Sequence, residues 1–224
     1  MAAETAVKHR DIKDQPGFGT MAVICLFVLY APILILMIWS FNSGNLVTHW
    51  EGVSLSWYGV ALQNEEFHHA AKNTLIISIT ATILSTAMAT MAAIGMTRVK
   101  AWRGMGTSFM VINLPLMVPE IITAVATLSF FALLAGTLGL NFGIGNIIIA
   151  HTVLCAPFAM AVIRLRLNQM DPNLEPAAWN LGASEWVTMK SVVIPFTLPS
   201  IIASLCLTAA VSFAEFAVAW FVSG

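Results

Sequence analysis

The chain has 224 residues, of which 58% are hydrophobic and only 9% charged, with a formal net charge of −1. Soluble globular proteins carry about 25% charged residues, so this composition indicates an integral membrane protein. The sequence contains no basic patch of the kind that would indicate a nucleic-acid partner. Cys25, Cys155 and Cys206 lie in apolar segments without CxxC or CxxH spacing, so neither a disulfide framework nor a metal site is predicted.

Apolar stretches long enough to cross roughly 30 Å of hydrocarbon are predicted at residues 18–40, 70–96, 107–135, 144–163 and 198–222. All basic residues except Lys72 fall on the side of the polar tail, residues 1–17, and the positive-inside rule makes that side cytoplasmic. The sequence therefore predicts an all-α membrane domain over 18–224 behind a cytoplasmic N-terminal tail. The last stretch would end outside, directly after an apolar run, so we expect a closing span in the full protein.

The same topology places residues 41–69 outside the membrane. Trp50, Trp57 and Tyr58 suit the headgroup zone, which predicts an interfacial helix or lid in this segment. His68 and His69 are adjacent but lack a third ligand at helical spacing, so we predict an interfacial pair and no metal.

The cytoplasmic segment 171–195 predicts a helix, a glycine turn and a second helix lying at the membrane surface. Asn173 is the expected cap of the first helix, Gly182 supplies the turn, Ser184 caps the second helix, and Pro195 is expected to stop it.

We expect this helical pair to dock on a soluble partner. A helix resting on lipid would carry more Lys and Arg than the one lysine present, Lys190. Apolar side chains would fill a groove on the partner, and a polar rim would surround them. The apolar set is Trp179, Leu181, Trp186, Val187 and Met189, and the rim is Glu175, Glu185 and Lys190.

The spacing within this segment resembles the EAA loop of permease subunits of bacterial binding-protein-dependent ABC importers. The matching residues are Ala177, Ala178, Gly182, Val192, Ile194 and Pro195. From residue 18 onward the chain is similar to the second permease of spermidine/putrescine importers.

The resemblance implies a type I ABC importer transmembrane domain in the bacterial inner membrane, working by alternating access and lacking catalytic residues. Its implied partners are a second permease, two ATPase subunits that bind ATP and Mg, and an external solute-binding protein. No cofactor is expected in this chain. The implied ATPase-coupling residues are Glu175, Ala177, Ala178, Trp179, Gly182 and Pro195.

One position departs from the family pattern, because Pro176 stands where the family has glutamate. Proline is tolerated in a first helical turn, where its missing N–H would have no intrahelical partner. We therefore expect the helix to begin at Leu174, with Glu175 as a substitute partner for a basic group on the ATPase.

Two carboxylates, Glu120 and Glu215, fall inside predicted spans, where an ionisable group is costly unless it faces water or a partner. Pro115 and Pro119 precede Glu120, which predicts a kink or break beside a cavity. In the resembled family the stretch around Glu215 carries two acidic residues, and Ala214 replaces one of them here.

Carboxylates lining a path would attract a polyamine, which is the expected solute, although other small solutes remain open. The alternative for Glu120 is a bond to a neighbouring helix backbone or to the partner permease. His151 is expected to form an interhelical hydrogen bond. The rival function is an ATP-independent secondary transporter that uses Glu120, Glu215 and His151 as its ion site.

Overall fold

The computed structural model of the protein describes residues 17–46, 48–140 and 142–222. The described chain is almost entirely helical, as predicted, and its one bridge between extended residues joins Asn42 to Val53. The helices are α1 Phe18–Trp39, α2 Ser56–Gln63, α3 Glu65–Arg98, α4 Met105–Met117, α5 Glu120–Leu138, α6 Ile144–Asn168, α7 Leu174–Asn180, α8 Glu185–Thr188, α9 Ile194–Ala214 and α10 Ala217–Val222. A π-helical turn over Met189–Val193 joins α8 to α9. The predicted tail at 1–17 lies outside the described residues except for Gly17.

Within the described chain, 5 helices are long and apolar enough to cross a membrane. They are α1, α3, α5, α6 and the continuous stretch Glu185–Ala214. The predicted stretch 107–135 is divided in two, because α4 ends at Met117 and α5, with 19 residues, is the part that reaches spanning length.

The first compact unit ends at His68. Asn42 organises the chain that follows α1, since its Nδ2 donates to the carbonyl of His49 at 2.8 Å and its Oδ1 accepts from Glu51 N at 2.9 Å. The helix predicted within 41–69 is present as α2, which carries Trp57 and Tyr58, and its external location stays a prediction.

The second unit begins at His69, and its core lies among helices with small buried residues. The buried side of α9 consists of Thr197, Ser200, Ser204, Thr208 and Ser212. Small side chains let membrane helices approach closely and bond across the interface. Thr208 Oγ1 lies 3.3 Å from Thr86 Oγ1 of α3, and Ser204 Oγ donates to the Ala159 carbonyl of α6 at 3.3 Å.

Two apolar clusters complete this core. One surrounds Phe131 of α5 with residues of α3, α6 and α10. The other lies toward the C-terminal end of α6, around Met160, Ile163 and Leu167. This packing holds the ends of α4, α5, α9 and α10 that form the candidate site.

Candidate translocation path and coupling surface

A break in the third apolar stretch places Glu120 at the start of a helix. Val118 ends α4 in an extended conformation, with φ −93° and ψ 135°, as expected for a residue that precedes proline. Pro119 takes the N-cap position of α5, and its carbonyl accepts from Ile122 N at 3.0 Å. Glu120 is the first residue of α5, where the positive end of the helix dipole favours a carboxylate. The predicted break before Glu120 is confirmed.

A second break, which the sequence did not predict, surrounds Glu215. α9 ends at Ala214 because Glu215 is extended, with φ −76° and ψ 102°. The Glu215 Oε1 accepts from Val218 N at 2.9 Å, which satisfies an N–H in the first turn of α10. Glutamate is not a favoured N-cap residue, so this stretch carries no ordinary helix-start signal. The stretch predicted as a span over 198–222 is therefore interrupted after Ala214.

Both breaks face the same cavity, of about 390 Å³. Its lining consists of Pro115, Leu116, Val118, Glu120, Leu154, Phe158, Val211, Ala214 and Glu215. Glu120 and Glu215 both line this cavity, so their side chains border one shared space. These two side chains are the ionisable groups in an otherwise apolar lining.

The carboxylate pair defines what the cavity can bind. Two ionised carboxylates that border one cavity repel one another, and a cation in the cavity relieves the repulsion. An ammonium group adds charge-assisted hydrogen bonds, because it has three donors and each carboxylate offers several acceptor positions. The cavity therefore suits a small organic cation, with apolar walls for its methylene groups.

His151 lies between helices, away from the cavity lining. It is 2% exposed, and its Nδ1 is 2.9 Å from Ser212 Oγ of α9. The predicted interhelical hydrogen bond is confirmed.

The predicted surface helix is present as α7, and it begins at Leu174 as expected. Pro176 occupies the first turn, where the missing N–H has no intrahelical acceptor to lose. Asn173 holds the N-cap position, but its side chain makes no capping bond. Its backbone N–H instead donates to Asp171 Oδ1 at 2.9 Å, so Asn173 holds the predicted N-cap position without the expected side-chain bond.

Gly182 ends α7 in a Schellman motif. The Gly182 N–H donates to the Trp179 carbonyl at 2.9 Å, and the Ala183 N–H donates to the Ala178 carbonyl at 3.0 Å. Gly182 has φ +84°, the left-handed conformation that this motif requires and that favours glycine. The predicted glycine turn is confirmed.

The second surface helix continues into the membrane. Ser184 caps α8 by accepting from Val187 N at 3.4 Å, as predicted. Pro195 does not stop the helix, because the π-helical turn over Met189–Val193 precedes it and Pro195 lies in the first turn of α9. The wider turn, in which Ile194 N–H bonds to the Met189 carbonyl, removes the usual clash of a proline with the preceding turn.

Exposed apolar side chains cluster on the α7–α8 surface. Leu181 is 89% exposed, Trp186 73%, Trp179 49% and Val187 47%. Ala177 and Pro195 are also exposed, and Ala178 is half-buried.

Met189 packs against the core cluster around Met160, so its prediction as a docking side chain is wrong. We call Trp179, Leu181, Trp186 and Val187 the coupling patch.

Glu175 makes its ion pair within the chain. Its Oε1 lies 3.1 Å from Arg98 Nε at the end of α3, and each side chain is 18% exposed. The sequence did not predict a role for Arg98, although a basic residue at the end of a span and an acidic residue in a first helical turn are both visible signals. A pairing of Glu175 with a basic group on an ATPase stays a prediction.

The architecture is that of an ABC importer permease. A solved bacterial ABC transporter involved in import of the acidic polysaccharide alginate matches it with a TM-score of 0.69 and 18% identity, covering 91% of this chain and 78% of that chain.

Relatives with higher identity extend over most of the chain. The putrescine transport system permease protein PotI of Escherichia coli K12 is 35% identical over 198 residues, 88% of this chain and 70% of PotI. The spermidine/putrescine permease PotC is 29% identical over 206 residues in Escherichia coli K12, 92% of this chain and 76% of that PotC. The Haemophilus influenzae PotC is 31% identical over 196 residues, 88% of this chain and 74% of its own length.

Residues 128–224 match the family of binding-protein-dependent transport system inner membrane components. The chain belongs to this family and is a multi-pass permease subunit of an ABC importer. The resemblance on the EAA loop and the expected type I fold are confirmed.

Proposed function

We propose that this permease imports a polyamine such as putrescine or spermidine by ATP-driven alternating access. The observation that carries the proposal is that Glu120 and Glu215, each at a helix break, line the same apolar-walled cavity. The named substrates of PotI and PotC, putrescine and spermidine, are cations of the kind this chemistry binds.

The translocation path would open in turn to each side of the membrane, because its two carboxylates lie on different helical segments. Glu120 begins α5, whereas Glu215 follows α9. A relative movement of these segments would separate the carboxylates and weaken their joint hold on the cation. Alternating access then requires only that an external energy source moves α9 against α5.

We assign that energy to two partner ATPase subunits, which would bind ATP and Mg. The coupling patch is exposed and apolar, which suits docking in a groove on a soluble subunit. From Glu185 to Ala214 the helical stretch has 30 residues, about 45 Å at 1.5 Å per residue, and Glu215 follows directly. A push on α8 would therefore reach a path carboxylate through a continuous helix.

The complete importer would contain a second permease and an external solute-binding protein beside this chain and the ATPases. This chain would contribute binding and movement, and we assign it no catalytic residue. We place the N-terminus in the cytoplasm by the positive-inside rule, since Lys8, Arg10 and Lys13 precede the first apolar stretch.

Reconstitution tests the energy source. Proteoliposomes with the assembled complex and the binding protein should take up labelled putrescine only when ATP is supplied, and the ATPase should co-purify with this chain. Gly182→Pro should abolish uptake, because proline cannot adopt the φ of +84° found there. Uptake without an ATPase, with Gly182→Pro active, would instead support the secondary transporter.

The substrate path is tested by neutral isosteres. Glu120→Gln and Glu215→Gln should each lower putrescine uptake about tenfold, because each removes one charge from the cation site. Glu66→Gln, at an exposed carboxylate in the first turn of α3, is the matched control and should transport normally. Normal uptake in both cavity variants would overturn the polyamine path.

A further inference from the structure

Arg98, at the end of α3, contacts the ends of two other helices. Besides the Glu175 ion pair, its Nη2 donates to the Leu167 carbonyl at 2.9 Å. Arg98 is the last residue of α3, Leu167 lies in the last turn of α6, and Glu175 lies in the first turn of α7. We call these three groups the Arg98 clasp.

The charges in the clasp match the helix ends that carry them. The C-terminal ends of α3 and α6 are electronegative and favour the guanidinium, whereas the N-terminal end of α7 favours the Glu175 carboxylate. The Leu167 carbonyl also accepts from Met170 N at 3.3 Å, so both of its lone pairs are used. One planar guanidinium therefore makes both contacts, a hydrogen bond from Nη2 to Leu167 and an ion pair between Nε and Glu175, a geometry that lysine does not reproduce.

The Arg98 clasp links α7 to α3, two helices that the polypeptide does not join directly. The polypeptide joins α7 to α6 on one side and, through α8 and the π-helical turn, to α9 on the other. Arg98 ties α7 to α3, a helix distant in sequence. Because each side chain of the pair is only 18% exposed, solvent screens the pair less than it would a surface pair.

We infer that Arg98 and Glu175 are positioning residues that transmit movement of α7 to α3, and that Glu175 does not serve as the charged anchor for the ATPase. Docking then depends on the coupling patch, whose apolar members are far more exposed than Glu175. The inference rests on the proposed ATP-driven function and adds a route to it: α7 moves α9 through the backbone and α3 through the clasp.

A charge swap in the assembled transporter tests this route. We would measure putrescine uptake per ATP hydrolysed, and the amount of ATPase co-purified, for Arg98→Glu, Glu175→Arg and the double variant. Each single variant should lower uptake per ATP about tenfold while the ATPase remains bound, and the double variant should recover most of the loss, since coupled partners are non-additive. Arg103→Glu, at an exposed arginine five residues beyond Arg98, is the matched control and should couple normally.

Milder substitutions protect the test against misfolding. If a charge reversal prevents assembly, Arg98→Lys and Glu175→Gln replace it, and both should lower uptake per ATP with the ATPase bound. Loss of the ATPase from Glu175→Gln would make Glu175 a docking residue and overturn the inference. Additive effects in the double variant, or normal coupling in the single variants, would also overturn it. Failure of the wild-type complex to bind or use an ATPase would contradict the proposed function instead, so the two failures are distinguishable.

Discussion

Glu215 combines a structural and an electrostatic role in one side chain. Its extended backbone ends α9, its Oε1 caps α10 through Val218 N, and its carboxylate lines the cavity opposite Glu120. A glutamine retains an oxygen that can accept the Val218 N–H, but it lacks the charge. Substitutions at this position can therefore separate the two roles.

We predict that Glu215→Gln raises the KM for putrescine about tenfold without changing thermal stability, because the charge is lost and the cap remains. Glu215→Ala should also destabilise the assembled complex by about 1 kcal/mol, since the cap is lost as well. Uptake kinetics and thermal unfolding of the purified complex measure the two effects. Equal destabilisation by both variants would show that the amide does not replace the cap.

Gly182 is constrained by its backbone alone. A Cβ at this position would meet no heavy atom within 4 Å, whereas the φ of +84° is unfavourable for any residue with a side chain. A substitution at Gly182 should therefore lower stability through backbone strain, because the new side chain would not clash with its surroundings.

We predict that Gly182→Ala lowers stability by about 1 kcal/mol, as expected for a left-handed residue that gains a Cβ. Gly106 in α4 is the matched control, because its Cβ would also meet nothing within 4 Å and its φ is not positive. Gly106→Ala should leave stability unchanged or raise it, since alanine favours a helix. Thermal unfolding of the assembled complex compares the two variants. Wild-type stability in Gly182→Ala would contradict the claim that a side chain strains the backbone at this position.

The π-helical turn determines how α8 meets α9. It places Pro195 in the first turn of α9 and keeps the helix continuous across a residue that would otherwise interrupt it. The turn fixes the rotation of the coupling patch about the helix axis relative to the buried polar face of α9.

We predict that Pro195→Ala lets the π-helical turn relax to α-helix, which rotates α8 against α9 and lowers uptake per ATP severalfold. The ATPase should still co-purify, because the coupling patch is unaltered. Pro199→Ala, at the interior proline of α9, is the matched control and should leave coupling unchanged. Wild-type coupling in Pro195→Ala would show that the turn is not needed for transmission.

At the level of whole elements, the sequence predicted those helix starts, turns and breaks that depend on the conformational preferences of single residues. The start of α7 at Leu174, the turn at Gly182 and the break before Glu120 follow from proline and glycine preferences. The end of α9 depends on a glutamate that caps α10, and the ion pair of Glu175 depends on Arg98, 77 positions earlier in the chain. Tertiary packing brings those groups together, and the local spacing of residues does not predict such long-range contacts.

In the proposed importer, this chain would join a docking surface on the cytoplasmic side to a cation site within the membrane. The coupling patch lies on α7 and α8, the helical stretch Glu185–Ala214 runs from it to Glu215, and the Arg98 clasp links the same surface to α3. Coupling by this route requires that ATP binding and hydrolysis at the ATPase change the separation of the two helix breaks.

Spin labels at Met117→Cys and Phe213→Cys would measure that separation directly, because both side chains are exposed and lie beside the two breaks. Cys25 and Cys206, which are exposed, would be replaced by serine, and the buried Cys155 would remain. In the assembled transporter, the distance between the labels should differ between the nucleotide-free and the ATP-trapped states. An identical distance in both states, in a complex that hydrolyses ATP and takes up putrescine, would contradict the proposed mechanism.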